Sequence, residues 1–145
     1  MSSRGRGTSL AAAFLLSSAQ VLAEPAQLYS TLPFLPQASL EDVVKEIFAT
    51  AKLQNRILDQ AGWRLRVVCD HHALPPDWVA GAAKPMFAWT CLTAWEQKTP
   101  VVSSDTWAIQ SQTLITGNTD GDEAALRARL RLRLYDFLQL KPPNK

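Results

Sequence analysis

Two cysteines, Cys69 and Cys91, restrict this chain more than any other pair of its residues. A disulfide needs the two Cα atoms within about 7 Å, so bonding them forces the surrounding segments to lie side by side. The segment that leads into Cys69 alternates, with Trp63, Leu65, Val67 and Cys69 on one side and Arg64, Arg66 and Val68 on the other. A period of two is the signature of a strand. Around Cys91 the pattern is double. Thr90, Cys91 and Thr93 with Phe87, Trp89 and Trp95 suit a strand, whereas Pro85 and the nearby alanines also suit a helix start. Strand is the reading taken for Met86 to Gln97, because period two places Cys91 and the tryptophans on one side. The cysteines then cross-link neighbouring strands and close a loop of about 23 residues, which stabilises by roughly 3 kcal/mol in the chain-entropy picture. The opposing reading is a pair of buried free thiols. A two-cysteine redox site is disfavoured by the absence of Cys-x-x-Cys.

Pairing requires an oxidising compartment, and the amino-terminal segment points to one. Arg4 and Arg6 precede an apolar run from Leu10 to Leu22, and Val21-Leu22-Ala23 puts small residues where signal peptidase cuts. The run is interrupted by Ser17, Ser18 and Gln20 and falls short of the ~20 apolar residues of a spanning helix. Gly5 separates the arginines, and no cysteine follows the run to take a lipid. Residues 1–23 are therefore expected to be a cleaved signal peptide, leaving a secreted or periplasmic protein that begins at Glu24 with no membrane span. Cleavage also cancels the basic excess. The chain has 15 basic and 13 acidic side chains, and losing Arg4 and Arg6 leaves 13 of each. A neutral chain has no global field to attract nucleic acid, so no nucleic-acid partner is expected.

Residues 24–38 carry Pro25, Pro33 and Pro36 and read as an extended leader. A single α+β domain is expected over 39–141, followed by a tail at 142–145 that Pro142 and Pro143 open. Its first element is a helix from about Leu40 to Ala61, capped by Ser39, with Leu40, Val44, Ile47, Phe48, Ala51 and Leu58 on one face and Gly62 as the stop. After the Trp63–Cys69 strand, the paired Pro75 and Pro76 imply a loop from Asp70 to Trp78. Another strand is expected over Asp105 to Thr116, closed by Gly117-Asn118. Thr119 with Asp122, or Asp120 with Glu123, then starts a last helix. In that helix Leu126, Ala128, Leu130, Leu132 and Leu134 alternate with four arginines, but strong helix formers and the shared face of Leu126, Leu130, Leu134, Phe137 and Leu138 favour helix over strand. The fold class is α+β, a small antiparallel sheet of about three strands covered by an N-terminal and a C-terminal helix with one disulfide.

Chemistry is thinly supplied. Asp70-His71-His72 holds the chain's only histidines, placed where a strand end enters a loop. Asp-His followed by a proline resembles the opening of HNH-type nuclease motifs, which continue with an Asn and a further His. Asn118 exists, but a further histidine does not. A zinc site would need Asp77, Asp105 or Glu96 as extra ligands, and adjacent histidines point in different directions unless the backbone turns sharply. No Gly-x-Ser-x-Gly elbow, phosphate loop or dinucleotide fingerprint occurs, and Ser103-Ser104-Asp105 has no argued relation to the histidines. No cofactor or metal is expected. The four arginines of the last helix read as a solvated face.

The aromatic inventory is richer. Trp63, Trp78, Trp89, Trp95 and Trp107 all fall in one stretch. Most are expected to be buried, with Trp78 in the proline-flanked loop the one left exposed. The reading is a small exported protein that acts by non-enzymatic macromolecular binding, as an envelope accessory, inhibitor or immunity-type partner. Its partner would be another protein or an envelope component, met by His71, His72 and Trp78. The alternative is a small metal-assisted hydrolase using Asp70, His71 and His72. Intact-mass analysis of exported protein is expected to show loss of residues 1–23; the full mass recovered from a membrane fraction would contradict it.

Overall fold

A computed structural model describes residues 25–79, 81, 84–100 and 106–144. Residues 1–23, expected to be a signal peptide, and the Ser103-Ser104-Asp105 run lie outside the described residues. The elements are β1 (Ala26–Ser30), α1 (Gln37–Leu53), β2 (Trp63–Ala73), a 3-10 turn at Pro76–Val79, β3 (Phe87–Lys98), β4 (Trp107–Thr119) and α2 (Glu123–Phe137). They form one sheet in the order β1-β2-β3-β4. β1 is parallel to β2, and the other two pairings are antiparallel.

The expected class holds, with one strand more and a mixed sheet instead of an antiparallel one. The extra strand lies in the proline-containing leader. Between Pro25 and Pro33, five residues turn Ala26, Leu28 and Ser30 toward the core and leave Gln27 and Tyr29 exposed. So short an alternation carries little local signal, and its partner residues, Leu65 to Cys69, lie far along the chain. A parallel neighbour needs a long crossover, which α1 supplies.

Cys69 and Cys91 are bonded, with Cα atoms 4.0 Å apart, and they face each other directly in the β2–β3 ladder. Both are fully buried beside Leu65, Val67, Trp89 and Ile115 on the sheet face that the helices cover. From α1 this core receives Leu40, Val43, Val44, Ile47 and Ala51; from α2 it receives Leu126, Leu130 and Leu134. Both sets follow helical spacing on one stripe.

The helices end earlier than expected, and both stop in the same way. The Arg56 N–H donates to the Ala51 carbonyl (2.8 Å) and the Asn55 N–H to Lys52 (3.1 Å), with Asn55 at φ +55°. This is a Schellman motif, and asparagine tolerates its left-handed position. Gly62 is therefore not the stop; with φ +80° it serves the turn into β2. In α2, Gln139 takes the same position while Leu140 and Gln139 donate to Tyr135 and Asp136. At the starts, Ser39 lies inside the first turn of α1, whose N-cap is Pro36. For α2 the cap is Asp122, which accepts from the Ala125 N–H.

The helices run side by side in the same direction. Ser39 donates to Glu123 (2.6 Å), Arg131 to Glu46 (2.6 Å) and Tyr135 to Glu46 (3.1 Å), while the Gln54 amide makes two hydrogen bonds to the Lys141 backbone. Parallel macrodipoles repel weakly. Here the Glu123 carboxylate sits beside both N-terminal ends, and the Arg56 guanidinium donates to the Leu138 carbonyl where both helices finish, so each charge opposes the dipoles.

Gly117 closes no turn: it lies inside β4, opposite Trp89. A Cβ there would come within 2.9 Å of both the Trp89 ring and the Arg129 guanidinium. The space, not the backbone angle, demands glycine. Gly117→Ala is expected to cost about 1–3 kcal/mol by overpacking, read as a lower urea midpoint; an unchanged midpoint would mean that Trp89 and Arg129 give way freely.

Candidate functional site

The helices cover one face of the sheet, and the opposite face has no covering element among the described residues. Register determines what that face displays. Tyr29, Val68, Leu92 and Leu114 are successive register partners across the four strands and make one apolar row. Tyr29 is 58% exposed and Leu114 60%. Beside the row lies a polar cluster in which Arg64 pairs with Glu96, and Arg66 with Ala94.

Glu96 is only 3% exposed although it stands on the open face. Arg64 Nε donates to its Oε2 (2.7 Å), and Arg66 Nε approaches Oε1 (2.9 Å). The second contact is a charge contact without hydrogen-bond geometry, leaving Arg66 Nε buried and unsatisfied. Arg64 also lies over the Trp107 ring, 4.1 Å from its centroid. A bulge at Trp95/Glu96 sets this end of β4, so that Trp107 falls opposite Lys98 and Ile109 opposite Glu96. One carboxylate between two guanidiniums leaves the cluster with an excess positive charge, presented next to an apolar strip.

The residues expected to bind are spread over both faces. β2 continues four residues past Cys69, correcting the expected loop, because Thr90 to Phe87 supply ladder partners for Asp70 to Ala73. Pairing with a distant segment overrides weak local propensity. Within a strand, neighbours point to opposite sides. His71 accordingly packs among Phe34 and Phe87 (ring centroids 5.6 and 5.9 Å), with Nδ1 buried and unpaired. His72 is exposed on the other side. Asp70 accepts from the Thr31 hydroxyl (2.7 Å) and the His71 N–H (2.8 Å), which hold its carboxyl below the usual carboxylate range. Trp78, in the 3-10 turn, is 76% exposed. The three residues of the hydrolase reading do not converge, and no group of three His, Cys, Asp or Glu among the described residues is placed to hold a metal ion. Of the extra zinc ligands considered, Glu96 is held by the two arginines and Asp105 lies outside the described residues.

The four arginines of α2 divide. Arg127 lies 3.9 Å from Glu123 and Arg131 pairs with Glu46. Arg129 stands 5.7 Å from the Trp89 ring centroid, and with Arg133 it lines a groove of about 460 Å³ along β4, beside Thr113 to Thr116, Asp136 and Phe137.

The sequence reading missed the Arg64–Glu96–Arg66–Trp107 cluster, although one signal for it was available. Once two directly opposed cysteines are bonded in an antiparallel pair, stepping five residues back from Cys69 and five forward from Cys91 leads to Arg64 and Glu96.

No protein family matches this chain, and no curated protein is recognisably similar to it. Among solved structures, the crystal structure of the rare lipoprotein B from Shewanella oneidensis is similar over 79% of this chain and 90% of that one, at 17% identity and a TM-score of 0.39. No helix among the described residues is long and apolar enough to cross a membrane.

Removing the Glu96 carboxylate leaves two guanidiniums facing each other. A fully buried pair broken in this way loses ~3–5 kcal/mol, and the partial exposure of both arginines reduces this to about 1–2 kcal/mol. Glu96→Ala is expected to lose that much in urea denaturation, with Glu96→Gln recovering part of it. Wild-type stability in both variants would show that the cluster contributes nothing to the fold.

Proposed function

We propose that this protein works by contact and not by catalysis, as a disulfide-stabilised binding module of an oxidising, extracytoplasmic compartment whose ligand is another protein or an envelope component. The observation that carries this reading is the uncovered sheet face. Both helices lie on one side, so the apolar row from Tyr29 to Leu114 stays in solvent next to Arg64, Arg66 and Trp107. Apolar strips bordered by Tyr, Trp and Arg are the composition of protein interfaces, where those residues dominate the energy. Solvated apolar patches of this kind mark interaction sites. The disulfide fits the compartment, since such bonds persist where thiols are not kept reduced.

In this proposal Trp78 and His72 extend the contact surface at the far end of β2, while His71 supports the strand from the helix side against Phe34. The metal-assisted hydrolase alternative needs three side chains on one side of the sheet, and the alternation of β2 separates them.

Crosslinking tests the reading. A photo-reactive residue at Leu92 or Trp78 in the exported protein is expected to give partner adducts, and one at Leu132 on the solvent side of α2 is not. Tyr29→Ala and Trp78→Ala should reduce adduct formation at Leu92 with nearly unchanged thermal melts, because both side chains are mostly exposed. Adducts at Leu132 alone would sink the proposal. So would a stoichiometric metal lost together with a hydrolytic activity in the His71→Ala His72→Ala variant.

A further inference from the structure

The two edges of the sheet are treated unequally. On β1, the outward backbone groups are partly occupied by a side chain: the Gln37 amide donates to the Leu28 carbonyl (2.8 Å) and accepts from the Ser30 N–H (3.1 Å). Those are the two bonds that one residue of a further parallel strand would make, so Gln37 takes up two of the outward groups of a five-residue edge. β4 has no such device. It runs for thirteen residues without a proline or a charged side chain, and its outer edge has no strand neighbour among the described residues. Natural sheets normally blunt a free edge with charge, proline or brevity. Here one edge is blunted and the other is left open.

Backbone alternation identifies the open groups. The Cys69 carbonyl accepts from the Thr31 N–H, so its backbone points toward the β1 side and away from β3. In antiparallel ladders the bonded and non-bonded pairs alternate, which makes Cys91–Ile115 a bonded pair. Ile115 therefore turns its backbone inward, and Gln112, Leu114, Thr116 and Asn118 turn theirs out to the free edge. The side chains beside this edge differ between the two faces. On the open face stands exposed Leu114. On the helix face, the groove along β4 carries Arg129 and Arg133 against a single acid, Asp136. The other two α2 arginines have carboxylate partners; these two have none among the ion pairs of the described residues.

We infer that the β4 edge from Gln112 to Asn118 is a docking site for an extended segment of a partner protein, which adds as a fifth strand with acidic side chains toward Arg129 and Arg133 and apolar ones beside Leu114. The inference rests on the contact reading above and names the partner's chemistry. Main-chain bonds would supply affinity and the alternating side chains would supply specificity. Charge selects the occupant. Pairing β4 with a second copy about a two-fold axis would bring the Arg129 and Arg133 pairs of both copies to the same face, a like-charge juxtaposition, whereas an acidic strand neutralises them.

The test uses the full chain with two short synthetic peptides, one alternating valine with glutamate and one alternating valine with lysine. The glutamate peptide is expected to bind and to slow amide exchange at Leu114 and Thr116, and the lysine peptide is expected to do neither. Arg133→Glu, at an exposed position, should weaken the glutamate peptide roughly tenfold or more. Thr116→Pro removes an outward N–H that no ladder bond uses and should abolish the exchange protection; if that variant misfolds, the Arg133→Glu comparison still decides. Equal binding of the two peptides, or no protection at those amides, overturns the inference. A photo-reactive residue at Gln112 separates the two levels of the argument. Partner adducts at Leu92 without any at Gln112 overturn the edge site alone, and adducts at neither position overturn the contact reading as well.

Discussion

The bond between Cys69 and Cys91 sets the register of the two central strands, and the rest of the sheet follows from it. Because the cysteines oppose each other directly, Arg64 must face Glu96, and Val68 must face Leu92. A slip of one residue would turn the core side chains of the slipped strand to the solvent and bring Arg64 and Arg66 to the core face. The bond removes that alternative covalently, in the middle of the layer formed by Leu65, Val67, Trp89 and Ile115. Trp89 then falls opposite Gly117, and the missing side chain there leaves room for both the indole and the Arg129 guanidinium.

Register also explains why the helices gather on one side. The fully buried Leu65, Val67 and Trp89 of the β2–β3 pair lie on the disulfide face, and two amphipathic helices are enough to cover it. Packing them parallel sets like dipole ends together. The polar seam between them answers that arrangement with Glu123 at the shared start, Arg56 at the shared end, and Glu46 and Tyr135 between. Burial and the neighbouring Glu46 carboxylate raise the Tyr135 hydroxyl above its ordinary pKa, so it stays a donor through the physiological range. Among the described residues the second face is left uncovered, and a buried carboxylate stands on it, held by two arginines, one of which lies over the Trp107 ring.

An uncovered face and an unblocked edge meet along β4, whose outward residues belong to both. That coincidence gives the contact proposal a direction: a segment added at the edge would continue the apolar row beyond Leu114 on one face and meet Arg129 and Arg133 on the other. The histidines that drew attention in the sequence lie at the opposite end of β2 from the arginine cluster, one propping the strand against Phe34 and one facing solvent.

Local periodicity determined a good part of this protein. The alternation before Cys69 and around Cys91, the helical stripes of Leu40 to Ala51 and Leu126 to Leu134, and the even cysteine pair specify an α+β chain with a bonded strand pair, and all are properties of neighbouring residues. The tertiary structure alone decided what depends on distant partners. Ala26–Ser30 became a parallel strand because Leu65 to Cys69 offered it a ladder, and β2 ran on through His71 and His72 because β3 was long enough to pair with them. The first helix stopped at Leu53 because Asn55 accepted a left-handed backbone that the sequence reading had reserved for Gly62. The cluster of Arg64, Arg66, Glu96 and Trp107 draws on three strands, and no single stretch of chain contains it. A hydrophobic period is written into consecutive residues, whereas a hydrogen-bond partner or a counter-charge is supplied by whichever segment the fold brings alongside.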